Sequence, residues 1–393
     1  MVADTFREET RRWLAANAPA AVYAPLRSAD ELCWGGKKTR YPADVKRWLD
    51  VMAERGWTAP TWPREYGGGG LSAAEAKILA EEMAKLRLRT PLTGFGLSMI
   101  GPLLLHEGSE ELKRTHLPPI VRGEIRWCQG YSEPGAGSDL ASLQTKAVRD
   151  GDDFVVNGQK IWTSYGDKSD WMFILVRTDF EETKHSGITF LLMDLETPGV
   201  TPRPIRLISG ASPFCEVFLS DVRVPVRNVV GRVNGGWRLA KALLGHERTM
   251  IADAFKERDD ARRLVDMARR YVGESGGRVA DPVIRDRIAQ VEMDQACLDL
   301  TLARARDGAK AGHRPGPESS IFKLYGTELN QRRRSLMVEI LGPQALGWEG
   351  PGFEDEELKV TRDWLRSRGN SIEGGTSEIQ LNIIAKRVLG LPD

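Results

Sequence analysis

No charge of either sign dominates this chain. Across 393 residues, 56 Lys and Arg face 55 Asp and Glu, a net charge of +1. That balance leaves no basic field for nucleic acid and no acidic tail. Cysteine is scarce: the four, Cys33, Cys128, Cys215 and Cys297, lie far apart with no CxxC pair. Such spacing argues against a zinc site and against a disulfide framework, and it fits a reducing compartment. No stretch approaches the roughly 18 apolar residues of a membrane span. The opening segment "MVADTFREETRRWLAANAPA" is a charged amphipathic helix without the apolar centre of a signal peptide, so a cytoplasmic location is expected. His106, His116, His185, His246 and His313 show no metal-ligand spacing, and no metal is expected. No internal repeat is visible either.

What is present is an ordinary globular composition, 41% apolar, on a chain long enough for two or three domains. Its 11 Trp are many, and buried packing accounts for most Trp in most proteins. Three regions follow one another. Residues 1–125 carry apolar positions at three- and four-residue spacing in "FREETRRWLAAN", "YPADVKRWLDVMAERGW" and "LSAAEAKILAEEMAKL", the last with Ser72 as N-cap. A Pro/Gly-rich loop, "APTWPREYGGGG", lies between them, and Gly94 to Leu105 reads as a buried helix. Residues 126–232 turn to short β-prone runs, "DWMFILVRTD", "GITFLLMDL" and "CEVFLSDVRVP", with turn signals at Gly151-Asp152 and Asn157-Gly158, the pattern of an antiparallel β-domain. Residues 233–393 are helical again, in long periodic segments such as "SSIFKLYGTELNQRRRSLMVEIL".

Two stretches in the β-region and one near the C-terminus carry chemistry. "QGYSEPGAGSDLAS", residues 129–142, combines glycines that permit close backbone approach with hydroxyls that can bond a ligand's oxygens. Read alone, it is as well explained as a Gly-rich hairpin loop. "NGQKIWTS", residues 157–164, sets Trp162 beside Thr163 and Ser164, an aromatic that can stack on a flat ring next to hydroxyls that can reach its heteroatoms. A Trp near a strand end is, by itself, more often core. "SIEGGTSEIQ", residues 371–380, places Glu373 and Glu378 on either side of a Gly-Gly-Thr turn.

Taken in order with "GWTAPTWPREYGGGGLS", these stretches resemble the acyl-CoA dehydrogenase family along essentially the whole chain. The resemblance implies an α+β fold with an N-terminal all-α domain (1–125), a middle antiparallel β-barrel or sandwich (126–232) and a C-terminal four-helix-bundle domain (233–393). It implies FAD as cofactor. Gln129, Tyr131 and Ser132 would lie beside the isoalloxazine, with Gly137 and Ser138 near the pyrophosphate. Trp162 would pack on the flavin face and Ser164 approach flavin N5. Gly375, Thr376 and Glu378 would lie near the flavin and its phosphates, where a helix start suits an anion. The implied reaction converts an acyl-CoA to a trans-2-enoyl-CoA: a carboxylate removes the α-proton while the β-hydride passes to flavin N5. An electron-transfer flavoprotein is the implied acceptor. Other flavin chemistry on the same scaffold, as an oxidase or monooxygenase, stays open, as does a regulatory subunit that has lost its site.

The base is sought at two places. Many family members carry it immediately before the Gly-Thr pair of the C-terminal loop, which here is Gly374, with Glu373 one residue too early. Others place it on the first long helix after the β-domain, just before an arginine, and "LLGHERTMIA" supplies Glu247 and Arg248 there. Apolar neighbours on both sides suit a raised pKa. Glu247 is therefore preferred as base, with Arg248 holding it or the thioester end and Glu373 as the alternative. His246 leaves that helix about 100° away from Glu247.

Two family features are missing. The region that usually carries an Arg and a Phe-Gly toward the neighbour's flavin reads "RRYVGESGGRVADPVIRDR", without Phe-Gly. The Gln-x-x-Gly-Gly stretch that meets the neighbour's adenine reads "EILGPQALGW", with Glu339 for the Gln and Pro343 for the second Gly. A homodimer or homotetramer is expected first; a heterotetramer with a paralogous chain is the alternative.

Overall fold

The computed structural model describes residues 2–23, 31–181, 184–243, 260–311 and 316–392. It divides into two units, Met1–Ile205 with Pro213–Ala240, and Arg206–Ser212 with Lys241–Asp393.

The first unit begins with helices α1 (Val2–Asn17), α2 (Ala43–Glu54) and α3 (Ala73–Lys85). Ser72 caps α3 in a reciprocal capping box with Glu75, as the sequence predicts. Leu14, Trp48, Met52, Trp57 and Leu79 pack together between these helices. At their edge Glu82 is fully buried, which is tolerable only because Arg7, Arg11 and Lys85 each reach it at 2.7 Å. The hydrogen bond from Arg11, ahead of those from Lys85 and Arg7, holds its carboxyl at about 2. The apolar stretch after Gly94 forms a π-helical turn (Gly96–Ile100) that runs into α4 (Gly101–Glu107), followed by α5 (Glu110–Val121). Gly101 is required there, because a Cβ would sit 2.0 Å from the Trp62 ring.

Seven strands make the sheet of this unit: β1 (Trp127–Gly130), β2 (Lys146–Asp150), β3 (Asp153–Ser164), β4 (Trp171–Arg177), β5 (Ile188–Asp194), β6 (Val200–Ile205) and β7 (Phe214–Pro225). Their order is β1-β4-β2-β3-β7-β6, with β5 on β4. Most pairs are antiparallel, as expected, but β4 pairs in parallel with β1, Trp127 opposite Trp171 and Gly130 opposite Ile174, and with β2 at Lys146 opposite Arg177. Strands β4 and β5 are apolar without alternation because both their faces are covered: Met172, Phe173, Ile174, Leu175, Phe190, Leu191 and Leu192 are all at 0% exposure. Gly151 and Asp152 turn the β2–β3 hairpin as read from the sequence. Asn157-Gly158, read as a second turn, instead lies within β3 as an irregularity in its pairing to β7. There a Cβ on Gly158 would meet Thr145 at 2.7 Å, so glycine serves strand approach rather than reversal.

The second unit is a helical bundle of α6 (Asp260–Tyr271), α7 (Pro282–Lys310), α8 (Ser319–Leu341) and α9 (Asp355–Ser367), with the short α10 (Ser377–Ile383) after it. Leu264, Ile288, Leu298, Leu329, Leu336, Ile340 and Val360 fill its core. Between α6 and α7 a two-strand hairpin, β8 (Glu274–Ser275) and β9 (Arg278–Val279), turns on Gly276 and Gly277, φ 59° and 76°. Two successive residues in the left-handed region are what such a tight hairpin demands, and only glycine takes them freely.

Candidate flavin site

Strand β1 delivers the 129–139 loop. Its parallel pairing with β4 fixes the exit of Gln129, and the loop then closes on itself through two backbone bonds of 3.0 Å between Glu133 and Ala136. Tyr131 is buried edge-on against Phe173 and Phe190, with ring centroids 6.0 and 6.4 Å away. Ser132 is half-buried, while Gly137 and Ser138 are exposed, and nothing stands within 4 Å of a Cβ built on Gly135 or Gly137. The Nε2 of Gln129 is buried without a hydrogen-bond partner.

Strand β3 brings the second motif alongside. Ile161 N donates to Ser132 O at 2.9 Å, so the two stretches joined in the sequence reading are joined in the fold. The β3–β7 register slips again between Lys160 and Thr163. At the slip Trp162 takes φ 60° and turns its indole outward, 53% exposed, with Phe214 edge-on at 6.0 Å. An aromatic residue in the left-handed region costs of order 1–3 kcal/mol, and strain of this kind gathers at binding sites. Next to it the Thr163 hydroxyl is fully buried with no partner, and Ser164 is half-buried.

Sequence reasoning passed over the residues beneath these two stretches. Lys160 is at 0% exposure and donates to Glu133 Oε1 at 2.7 Å and to Tyr131 O at 3.2 Å. Glu133 also accepts from Gln144 N at 2.6 Å and Thr145 N at 2.9 Å. Burial works to raise the Glu133 carboxyl, and the charge and hydrogen bond of Lys160 reverse that, leaving it below the usual range. Both residues stand inside the quoted motifs, where Lys160 is the one charge of its stretch and Glu133 shares its own with Asp139, and those charges were the available signal.

In the second unit the C-terminal turn is built on Gly374 and Gly375, φ 66° and 93°. Gln380 Nε2 donates to both their carbonyls, at 3.1 and 3.3 Å. Thr376 caps α10, its hydroxyl accepting from Ile379 N at 3.2 Å. Glu378, in the first turn, is held below the usual carboxylate range by a backbone N–H and then by the Thr376 hydroxyl. Glu373 has both oxygens engaged, Oε2 by Arg366 at 2.7 Å and Oε1 by Asn370. Asn370 is in turn fixed by Asn330 at 2.8 Å. Under this loop Lys323 is at 0% exposure with no hydrogen-bond partner on Nζ. Burial lowers its pKa, and the nearby Glu373 carboxylate pulls the other way. Glu247, Arg248 and His246 lie outside the described residues. Among the described residues no group of three or more His, Cys, Asp or Glu could hold a metal, and no helix is long and apolar enough to cross a membrane.

Comparison with known proteins gives these stretches a frame. Models of the acyl-CoA dehydrogenase N-terminal, middle and C-terminal domains match residues 3–124, 128–222 and 234–389. The chain belongs to the acyl-CoA dehydrogenase family. The acyl-CoA dehydrogenase IpdE1 of Mycobacterium tuberculosis is 37% identical over 99% of this chain and 98% of its own length. A solved structure described as the Tcur3481-Tcur3483 steroid ACAD has a TM-score of 0.77 at 31% identity, covering 100% of this chain and 98% of that one. The ChsE4-ChsE5 complex of Mycobacterium tuberculosis gives 0.74 at 32% identity over 100% and 98%.

As an acyl-CoA dehydrogenase the chain is an FAD-dependent oxidoreductase. Its residues suit that cofactor on geometry alone. An outward indole offers a flat apolar wall, Gln129 and Thr163 have buried polar atoms without partners, and the glycines of the 129–139 loop leave open space for an approaching group. Unmet buried hydrogen-bonding atoms beside an exposed Trp are what a polar-edged aromatic ligand satisfies.

Proposed function

We propose that this acyl-CoA dehydrogenase converts an acyl-CoA thioester to the trans-2-enoyl-CoA, with Glu247 taking the α-proton and Arg248 holding Glu247 or the thioester end. The observation that carries the reading is Trp162, held outward at a register slip beside the 129–139 loop. That arrangement supports Trp162, Ser164, Gln129, Tyr131 and Ser132 as the wall of the isoalloxazine, with Gly137, Ser138, Gly375, Thr376 and Glu378 toward the phosphates. Bound FAD supplies the acceptor for the β-hydride. The chain's own task is to hold the thioester, exclude water and remove one proton. A base needs a free lone pair within reach of that proton. Arg366 and Asn370 hold Glu373 by both oxygens, so turning it toward a substrate would break one of these contacts, which supports Glu247 in the role. The described likeness to a steroid ACAD supports a steroid-derived acyl group as substrate, and an electron-transfer flavoprotein as electron acceptor follows from the family.

Glu339 favours a second reading of the assembly. Its carboxylate is ion-paired with Arg287 and lines a groove of about 580 Å³ on α7 and α8, together with Gln331, Arg332 and Ser335. A carboxylate cannot donate as the family's Gln does, and Pro343 has no N–H to offer. Both departures support a second, paralogous chain completing the site over the homo-oligomer expected first, and the paired names of the Tcur3481-Tcur3483 and ChsE4-ChsE5 structures agree.

The test is the flavin-to-protein ratio of the purified chain, read from visible absorbance, followed by anaerobic addition of a steroid-derived acyl-CoA. Bleaching of bound flavin is expected. Near one flavin per chain supports the homo-oligomer; little flavin in a folded chain, restored by a co-expressed paralogue, supports the two-chain assembly. Flavin that binds and is not reduced by any acyl-CoA would overturn the dehydrogenase reading.

A further inference from the structure

We propose that the buried Lys160–Glu133 pair is a positioning lock that holds the 129–139 loop in register with the strand bearing Trp162, and so sets how tightly flavin is held; this rests on the flavin reading of that site. The loop and β3 are not neighbours in sequence. Between them lie β2 and its hairpin, so their relative placement depends on contacts made across the fold. Two connections tie the loop directly to β3 at the motifs: the backbone bond from Ile161 to Ser132, and Lys160.

Lys160 and Glu133 make four contacts between them. It reaches the carbonyl of Tyr131 at 3.2 Å and Glu133 at 2.7 Å, and Glu133 carries the tie onward to the backbone of Gln144 and Thr145 at 2.6 and 2.9 Å. Loop, β3 and the start of β2 are thereby pinned at one point. Arg177 on β4 braces the segment that follows the loop, donating to Ala141 O at 2.6 Å and Leu143 O at 3.3 Å, and it also reaches Lys184 O at 2.8 Å. Two residues along β3 from Lys160 is Trp162. Displacing Lys160 would therefore move the indole and the loop relative to each other, while most of the sheet ladder stays in place.

A buried ion pair is weak evidence for stability, since an apolar pair of similar volume is often as stable. Its position, where both flavin-facing stretches meet, points to geometry as its use. The charges facing the pair are few: Glu133 itself, and Arg177 from β4 with Asp179 beyond it. Burial, opposed by the Glu133 charge, lowers Lys160 to about 8. As pH rises through that value the ammonium is lost, Glu133 is left unmatched, and the lock opens.

The experiment titrates FAD into apoprotein, in whichever assembly takes up flavin, for wild type, Lys160→Met, Glu133→Gln and the double variant, with thermal unfolding of each apoprotein alongside. Each single variant should lose about tenfold or more in FAD affinity. The double variant should regain most of the thermal stability, because no buried charge is left unmatched, yet keep the affinity loss. Wild-type affinity should fall as pH passes 8, and the double variant should show no such step. A double variant that recovers both stability and flavin affinity would reduce the pair to a structural one and end the proposal. Failure of wild type to take up flavin in any assembly would instead sink the site reading on which the proposal stands.

Discussion

Replacing Glu373 with Gln separates the two candidate bases. Glu373 gives Oε2 to Arg366 at 2.7 Å, with the two side chains about one-third exposed, and Oε1 to Asn370. A partly exposed ion pair of this kind contributes up to about 1 kcal/mol. The amide keeps an acceptor oxygen for Asn370 and loses both the charge and the second acceptor, which receives Arg366. On a chain of 393 residues, about 1 kcal/mol lowers Tm by about 1 °C. The chemistry is the larger lever. A positioned general base contributes about 10²–10⁴ in rate. If Glu247 is the base, Glu247→Gln slows flavin reduction by about 100-fold or more with flavin still bound, while Glu373→Gln changes it less than about threefold. Anaerobic stopped-flow absorbance with a substrate acyl-CoA reads both rates, and calorimetry reads the Tm. The reasoning is refuted if Glu373→Gln abolishes bleaching while Glu247→Gln bleaches at the wild-type rate; the ion pair to Arg366 would then be a resting arrangement that substrate breaks.

Other predictions concern single positions. Glu82→Gln removes the charge that Arg7, Arg11 and Lys85 share, and since those three cations are partly exposed it should cost roughly 1–3 kcal/mol. Since the folded carboxyl sits at about 2, below the ordinary 4.5, its contribution is fully present above about 4.5 and disappears as pH falls toward 2. Acid unfolding of the wild type should show that loss and the variant should not. Trp162→Gly relieves the φ of 60° and should leave apoprotein stability unchanged or raise it by up to about 1 kcal/mol, while weakening FAD about tenfold through the lost aromatic face. A Trp162→Gly apoprotein that unfolds much earlier than wild type would mean the indole is core and no flavin wall.

Long helices were readable because their signal is local. The periodicity of 319–341 spans the whole of α8, and Ser72 with Glu75 announced the start of α3 in four residues. The α, β, α order followed from the same kind of evidence. What could not be read depends on partners distant in sequence. Nothing in "WCQG" says that β1 runs parallel to β4, and Asn157-Gly158 looks like a turn until Thr145 is seen to press on Gly158. The flavin-facing residues came from family motifs, and the structure brings Ser132 and Ile161 into contact. Lys160 and Lys323 were missed because burial of a lysine is rare enough that sequence reasoning assigns it to the surface. The preference for Glu247 over Glu373 rested on a one-residue offset, and the engagement of Glu373 by Arg366 and Asn370 adds a physical reason that no spacing could supply.

The parallel pairing of β1 with β4 has a consequence for the order in which the protein comes into being. β1 emerges early in synthesis, yet its only strand partner, residues 171–174, follows more than forty positions later. Closing that loop costs entropy before any contact rewards it, so such pairings form late. The β2–β3 hairpin, with its near neighbours and its turn at Gly151, can form in the meantime. A nascent chain therefore holds the sequence of the 129–139 loop long before it holds the shape that the pairing with β4 gives it.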